Sequence, residues 1–397
     1  AFLFGDEKRP QDKFEYTDLS EMFPGYKYEY GKSEYRGEDP SEGGYVYSEP
    51  GVYSNVGLFD VASMHPSSLI AMNYFGPYTE RFADLKQTRI DIKHGNYDAA
   101  REAFNGSLKP YLEDEGTASS LAQAMKIIIN IVYGLTSAKW DNKFRHPKNN
   151  DNIVAKRGAL FMIDLKHAVQ EQGYTVVHVK TDSIKVADAD DEIRDFIFEF
   201  GKKYDYDFEH EATYDKLALV NRAVYIAKKD KEDGTTEWEA IGAQFAEPYV
   251  FKTLFTKETL RPKDYILTKQ ATKPIYLGDS FIGKIANVYA SKTGSPAYRY
   301  DAAKDELDAG GVSMGPIEKE VDGKRVQLKD GKSYLSGTKG YLWKLGTDID
   351  ETSMSDVDMQ YYTNLASDAV NNIAKVGDVR EIIEDETVDM FLTISED

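Results

Sequence analysis

The chain has 397 residues, a hydrophobic fraction of 41% and a formal net charge of −19, enough length for two or three domains with sizeable cores. It contains no Cys, which excludes disulfides, a thiolate zinc site and a Cys nucleophile. Mean hydropathy is −0.55, no apolar run is expected to reach the length of a membrane span, and no secretory n-region and h-region opens the chain, so no membrane partner is expected.

In chain order, residues 1–50 are rich in Tyr, Gly and charge and read as irregular entry structure. From Val52 to Ala62 the pattern is that of a strand, and Pro66 suits the first position of a helix, where a missing N–H costs nothing. Helices are expected over 78–104, 117–140 and 151–171, the last ending at Gly173. The segment YTVVHVKTDSIKVAD, starting at Tyr174, is two β-rich runs around a polar turn, a hairpin pattern. A helix near 190–204 follows, then strands near 217–227 and 236–243, and short strands in the Gly-punctuated stretch 310–343.

The net charge argues against a nucleic-acid partner, but its distribution reverses that reading. Residues 1–60 carry 13 acids and 6 bases, and residues 346–397 carry 14 acids and 2 bases, which accounts for the whole imbalance. Between them the chain is neutral, and residues 246–300 hold 9 bases against 4 acids.

Residue types that carry chemistry fall in a few places. In KIIINIVYGLTSAKW, read as a helix, Lys126, Asn130, Tyr133 and Ser137 share one side, while Ile128, Ile131, Val132 and Leu135 form an apolar side expected to pack. Arg89 and Lys93, four apart, place two more cations on one side of a neighbouring helix. Asp60 closes the expected strand and Asp182 sits in the hairpin turn. Either Asp alone reads equally as a cap or turn residue. Together, two carboxylates at strand ends suit divalent cations that also take water and phosphate oxygens, and facing cations suit a triphosphate.

These stretches resemble the polymerase motifs of family B DNA polymerases, most similarly the bacteriophage type. DVASMHPSSLI from Asp60 resembles Asp-x-x-Ser-Leu-Tyr-Pro-Ser, KIIINIVYG from Lys126 resembles Lys-x-x-x-Asn-Ser-x-Tyr-Gly, and KTDS from Lys180 resembles Asp-Thr-Asp-Ser. RAVYIAKK from Arg222 stands where the family has Lys-Lys-Arg-Tyr, and GGYV from Gly43 is similar to the Tyr-x-Gly-Gly linker. The resemblance implies an α+β, right-hand polymerase core. A palm would fill 44–80 and 138–245, short helical fingers 81–137, and a thumb with an associated β-rich region 246–345. An entry segment at 1–43 and an acidic segment at 346–397 would flank them.

It further implies a template-directed DNA polymerase that adds dNTPs to a primer 3′-OH with two Mg²⁺ ions, Mn²⁺ substituting, in phage replication within the host cytoplasm. Asp60 and Asp182 would be catalytic and would hold the metal with the Val61 carbonyl. Ser63, Met64, His65, Arg89, Lys93, Lys126, Asn130 and Tyr133 would bind the nucleotide, and Thr181, Arg222, Tyr225 and Lys228 the primer-template DNA. His65 replaces the Tyr that blocks a ribose 2′-OH, which implies looser sugar discrimination; Lys180 replaces an Asp; Ile131 replaces a Ser and reads as packing. No Asp-x-Glu exonuclease signature precedes the palm motif, so proofreading is expected from a separate domain or subunit, and the Ala1 start reads as a fragment or processed piece. Two alternatives stay open: a nucleotidyltransferase that also accepts ribonucleotides, and a degenerate polymerase subunit that only binds DNA.

Overall fold

The computed structural model describes residues 2–300, 317–321 and 324–328 as backbone, and 332–392. Of the short strands expected in 310–343, residues 310–316, 322–323 and 329–331 lie outside the described residues. The chain divides into two compact units, one of residues 1–49 and 53–215, the other of 50–52 and 216–397.

In the first unit a sheet runs in the order β3 (Val46–Ser48), β5 (Val176–Lys180), β6 (Ser183–Val186), β4 (Gly51–Val61) and the start of β7 (Phe208–Asn221). Val56, Phe59, Val179, Ile184 and Val186 are buried on these strands. The expected hairpin is present, with Lys180 opposite Ser183 across a two-residue turn. Helix α5 (Ile153–Glu171) covers the sheet and is buried nearly all round, from Leu160 and Phe161 to Lys156 and Lys166. Buried lysines need partners. Lys166 finds one in Glu38, 2.6 Å away, and Glu38 also accepts from the Tyr45 hydroxyl and meets His167.

That node ties the N-terminal residues to the core, so the described residues from 2 to 49 are more ordered than their composition suggests. They hold a hairpin of β1 (Lys27–Glu29) and β2 (Lys32–Glu34), and Leu3, Phe4, Phe14, Leu19 and Phe23 are buried.

Before β5 this unit also carries the helices α1 (Met64–Ala71), α2 (Thr79–Lys93), α3 (Tyr97–Glu102) and α4 (Glu115–Thr136), besides shorter helical turns. The single helix expected over 78–104 is therefore two. Gly95 takes up a left-handed backbone (φ +76) and stops α2. Asp114 caps α4 by accepting from the Thr117 amide at 2.8 Å. Helix α6 (Asp191–Lys202) is capped in the same way by Asp190.

The buried residues of α4 are Ala118, Met125, Ile129, Val132 and Thr136. Its expected apolar face is corrected by this: Ile127, Ile128 and Ile131 are 52%, 49% and 55% exposed, Ile131 is not a packing residue, and the core stripe lies one residue around the helix. Helix α4 is also long and apolar enough to cross a membrane by length and composition alone, contrary to the expectation that no run reaches that length.

In the second unit the rest of β7 pairs with β8 (Val224–Asp230), and β8 with β9 (Thr236–Ile241). The strand expected over 217–227 is thus two. They meet at Arg222–Ala223, where the Asn221 side chain accepts from the Ala223 amide at 2.9 Å and turns the chain. A five-stranded sheet includes β10 (Leu267–Leu277), β11 (Ser280–Ser291), β12 (Ala297–Tyr300), β15 (Lys332–Tyr334) and β16 (Leu342–Leu345), in the order β15, β12, β10, β11, β16. The pair β13 (Ile317–Val321) and β14 (Lys324–Leu328) stands apart. Helix α7 (Met359–Ala374) buries Tyr362, Ala366, Val370 and Ile373 in this unit's core.

Phe161 is fully buried and touches the rings of Tyr204 and Tyr206. Phe161→Ala is expected to destabilise the first unit by about 3–5 kcal/mol, read as a lower urea midpoint.

Candidate active site

The site begins where β4 ends. Asp60 lies opposite Ser183, and the Val61 amide donates to the Asp182 carbonyl at 2.8 Å, so the register alone sets the two carboxylates side by side. The turn bearing Asp182 is held from the other side as well. Thr181 has φ +56 and donates its amide to the Tyr45 carbonyl at 2.9 Å. Gly44 (φ +150) lies against it, and a Cβ there would come within 2.8 Å of the Thr181 side chain. Burial, with the charges of Asp182, Glu211 and Glu209, pushes the Asp60 carboxyl up to about 7. Burial also raises Asp182.

After Val61 the chain turns through Ser63, again left-handed (φ 57), into α1. Pro66 is the third residue of this helix rather than the first, still within the turn whose amides lack intrahelical acceptors. Ser63, Met64 and His65 bring those amides to the cavity, suited to an anion. The helix start is anchored from behind. Ser68 Oγ bonds the Met64 carbonyl at 3.0 Å and the Tyr206 hydroxyl at 2.6 Å. Met64 fills the space over Gly158, where a Cβ would lie 2.5 Å from its sulfur.

The opposite wall is helical. Arg89 and Lys93 reach the cavity from α2, Lys126 and Asn130 from α4, each pair one turn apart. The cavity, about 510 Å³, collects Asp60, Val61, Asp182 and these four with the turn residues. Tyr133 backs His65, their rings stacked at 4.0 Å and 6°. His65 Nδ1 is buried without a hydrogen-bond partner, as is Arg89 Nε. Burial pulls the His65 imidazole down to about 4, so at neutral pH the ring is uncharged.

Three acids of this cavity were not anticipated: Asp207, Glu209 and Glu211. They alternate at and just before the start of β7 and therefore share a face. The signal was the every-second-residue spacing in DFEHE, which also describes a solvent-facing strand. Of the residues expected to touch DNA, Thr181 is in the hairpin turn of the first unit. Arg222, Tyr225 and Lys228 belong to the second unit. There Tyr225 and Lys228 are buried; the Tyr225 hydroxyl donates to Glu239, and Lys228 pairs with Glu384 at 2.8 Å.

Among the described residues no three His, Asp or Glu side chains converge as a ready-made metal cage. Two adjacent carboxylates with crowded negative charge nevertheless fit a hard divalent cation such as Mg²⁺, which keeps several waters and takes phosphate oxygens. Asp60 and Asp182 are the side chains that would hold it, beside the Val61 carbonyl.

No protein-family profile matches the chain. Over 167 aligned residues it is 30% identical to DNA polymerase II of Escherichia coli (strain K12), covering 36% of this chain and 19% of that protein. Among solved structures, the family B DNA polymerase of the hyperthermophilic archaeon Pyrobaculum calidifontis aligns over 86% of this chain and 47% of its own, at a TM-score of 0.42 and 13% identity. The chain thus spans about a fifth of the curated relative and under half of the solved one.

The His65 ring gives a pH prediction. Its folded value lies below the ordinary 6.5, so protons bind the unfolded chain first, and its contribution is lost as pH falls from 6.5 toward 4. Thermal melts over that range are expected to decline less steeply for His65→Gln than for the unsubstituted protein.

Proposed function

We propose that the first unit carries the nucleotidyl-transfer centre of a template-directed DNA polymerase that extends a primer 3′-OH with dNTPs. The observation that carries this reading is the opposition, within one cavity, of the register-locked pair Asp60 and Asp182 to Arg89, Lys93 and Lys126. The partial likeness to a protein named DNA polymerase II supports it. In this reading residues 44–80 and 138–245 form the palm, 81–137 the fingers, and 246–345, opening on the basic stretch 246–300, the thumb. The phage role and the cytoplasmic setting belong to the same reading and rest on the motifs.

The residues divide the work by charge. Arg89, Lys93 and Lys126 neutralise the triphosphate, and the amides of Ser63, Met64 and His65 receive its outer oxygens. Asn130 and Tyr133 border the incoming base pair. Asp60 and Asp182, fixed by the backbone, set the line between the primer hydroxyl and the phosphorus, which proximity chemistry requires to sub-ångström tolerance. When bound at these carboxylates, divalent cations supply charge neutralisation at the attacking and leaving oxygens. Thr181, Arg222, Tyr225 and Lys228 are proposed to meet primer-template DNA, the last two through elements they brace rather than through free side chains.

A second reading, that ribonucleotides are also accepted, is favoured by His65. A flat, neutral imidazole stacked on Tyr133 replaces a bulkier phenol and leaves an unpaired ring nitrogen.

Primer extension on a DNA template with Mg²⁺ tests both. Deoxynucleotide incorporation is expected, falling on the order of 10³-fold in Asp182→Ala, and Mg²⁺ is expected to raise the melting temperature of the unsubstituted protein but not of Asp60→Asn. Intact binding of primer-template without extension would leave the degenerate subunit as the answer. Equal use of ribonucleotides would make the second reading the correct one.

A further inference from the structure

Glu209 has no role in the reaction just described, yet its carboxylate meets a lysine from the facing wall of the cavity. It stands between Asp207 and Glu211 on the sheet wall. Lys93, the last residue of α2, stands on the helical wall. Lys93 Nζ lies 3.8 Å from Glu209 Oε2, and the two side chains are 52% and 43% exposed.

The geometry says what kind of contact this is. A long, half-exposed pair is weak and screened by salt, so it holds nothing together by itself and exchanges readily. It is nevertheless where an incoming anion must go. Lys93 belongs with Arg89 and Lys126 to the cation set, and the carboxylate of Glu209 is already beside it. A polyphosphate that engages Lys93 has to displace that carboxylate and then lie next to its freed charge. Both penalties fall on binding.

We propose that Glu209 is an internal competitor for Lys93, displaced by nucleotide polyphosphate, and so sets the affinity of the cavity by acting through that lysine. The proposal rests on reading the cavity as a triphosphate site. It makes Glu209 a positioning residue whose removal tightens substrate binding, the opposite of what loss of a binding or structural residue does.

The test titrates inorganic tripolyphosphate with Mg²⁺ into the unsubstituted protein, Glu209→Gln, Lys93→Gln and the double variant, by calorimetry, and compares nucleotide KM in primer extension. Glu209→Gln is expected to lower Kd and KM several-fold, with the change falling on KM rather than kcat, and the gain is expected to vanish in the Lys93→Gln background. Glu209→Ser repeats the measurement should Gln distort the strand. Equal or weaker binding on loss of the carboxylate overturns the proposal. So does the same gain without Lys93, which would mean general repulsion, or no tripolyphosphate binding by any form. Titration needs no turnover, so absent primer extension would sink the polymerase reading while the titration still decides this one.

Discussion

One backbone hydrogen bond, from the Val61 amide to the Asp182 carbonyl, is the constraint on which the site depends. Side chains alternate along a strand, so a slip of one residue between β4 and β6 would send Asp60 to the other face. The register is protected by what surrounds it. Phe59 and Val61 on β4, and Ile184 and Val186 on β6, are all buried, and a slip would bring polar neighbours into the core. Hydrophobic burial thereby enforces an electrostatically unfavourable act, the placement of two carboxylates at adjoining strand ends.

Charge in the cavity is segregated by element type. Every acid, Asp60, Asp182, Asp207, Glu209 and Glu211, comes from the sheet or the turns joined to it. Arg89, Lys93 and Lys126 come from helices. Asp60 lies on a strand paired with β6, and the Val61 and Ala62 amides bond the Asp182 and Asp207 carbonyls at 2.8 Å each, whereas α2 and α4 reach the cavity through side chains. In the proposed reaction the sheet wall would order the reacting atoms and the helical wall would receive the anion.

Much of this was legible in the sequence, for identifiable reasons. Arg89 with Lys93, and Lys126 with Asn130, each face the cavity together because one-turn spacing on a helix survives folding, and the hairpin was visible because β-branched runs flank a polar turn. What was missed needed information from outside the local window. Gly95 could as well have sat inside a helix as ended one. Asn221 looked like a polar residue within a strand until its side chain was seen to close a turn. Glu209 and Glu211 carry the pattern of a solvated strand face, and only the neighbouring helices make that face a wall. The apolar side of α4 was misjudged because its run of isoleucines covers more of the helix than the core can accept.

That surplus has a colloidal consequence. Ile127, Ile128 and Ile131 form an oily ridge on a chain whose formal charge is −19. In dilute buffer the long-range repulsion between like-charged copies keeps such ridges apart. Added salt shortens that repulsion to less than about 10 Å at 0.15 M, while leaving the attraction between ridges intact. The protein should therefore be most tractable at low ionic strength, the reverse of the habit of basic nucleic-acid-binding proteins, which salt sets free.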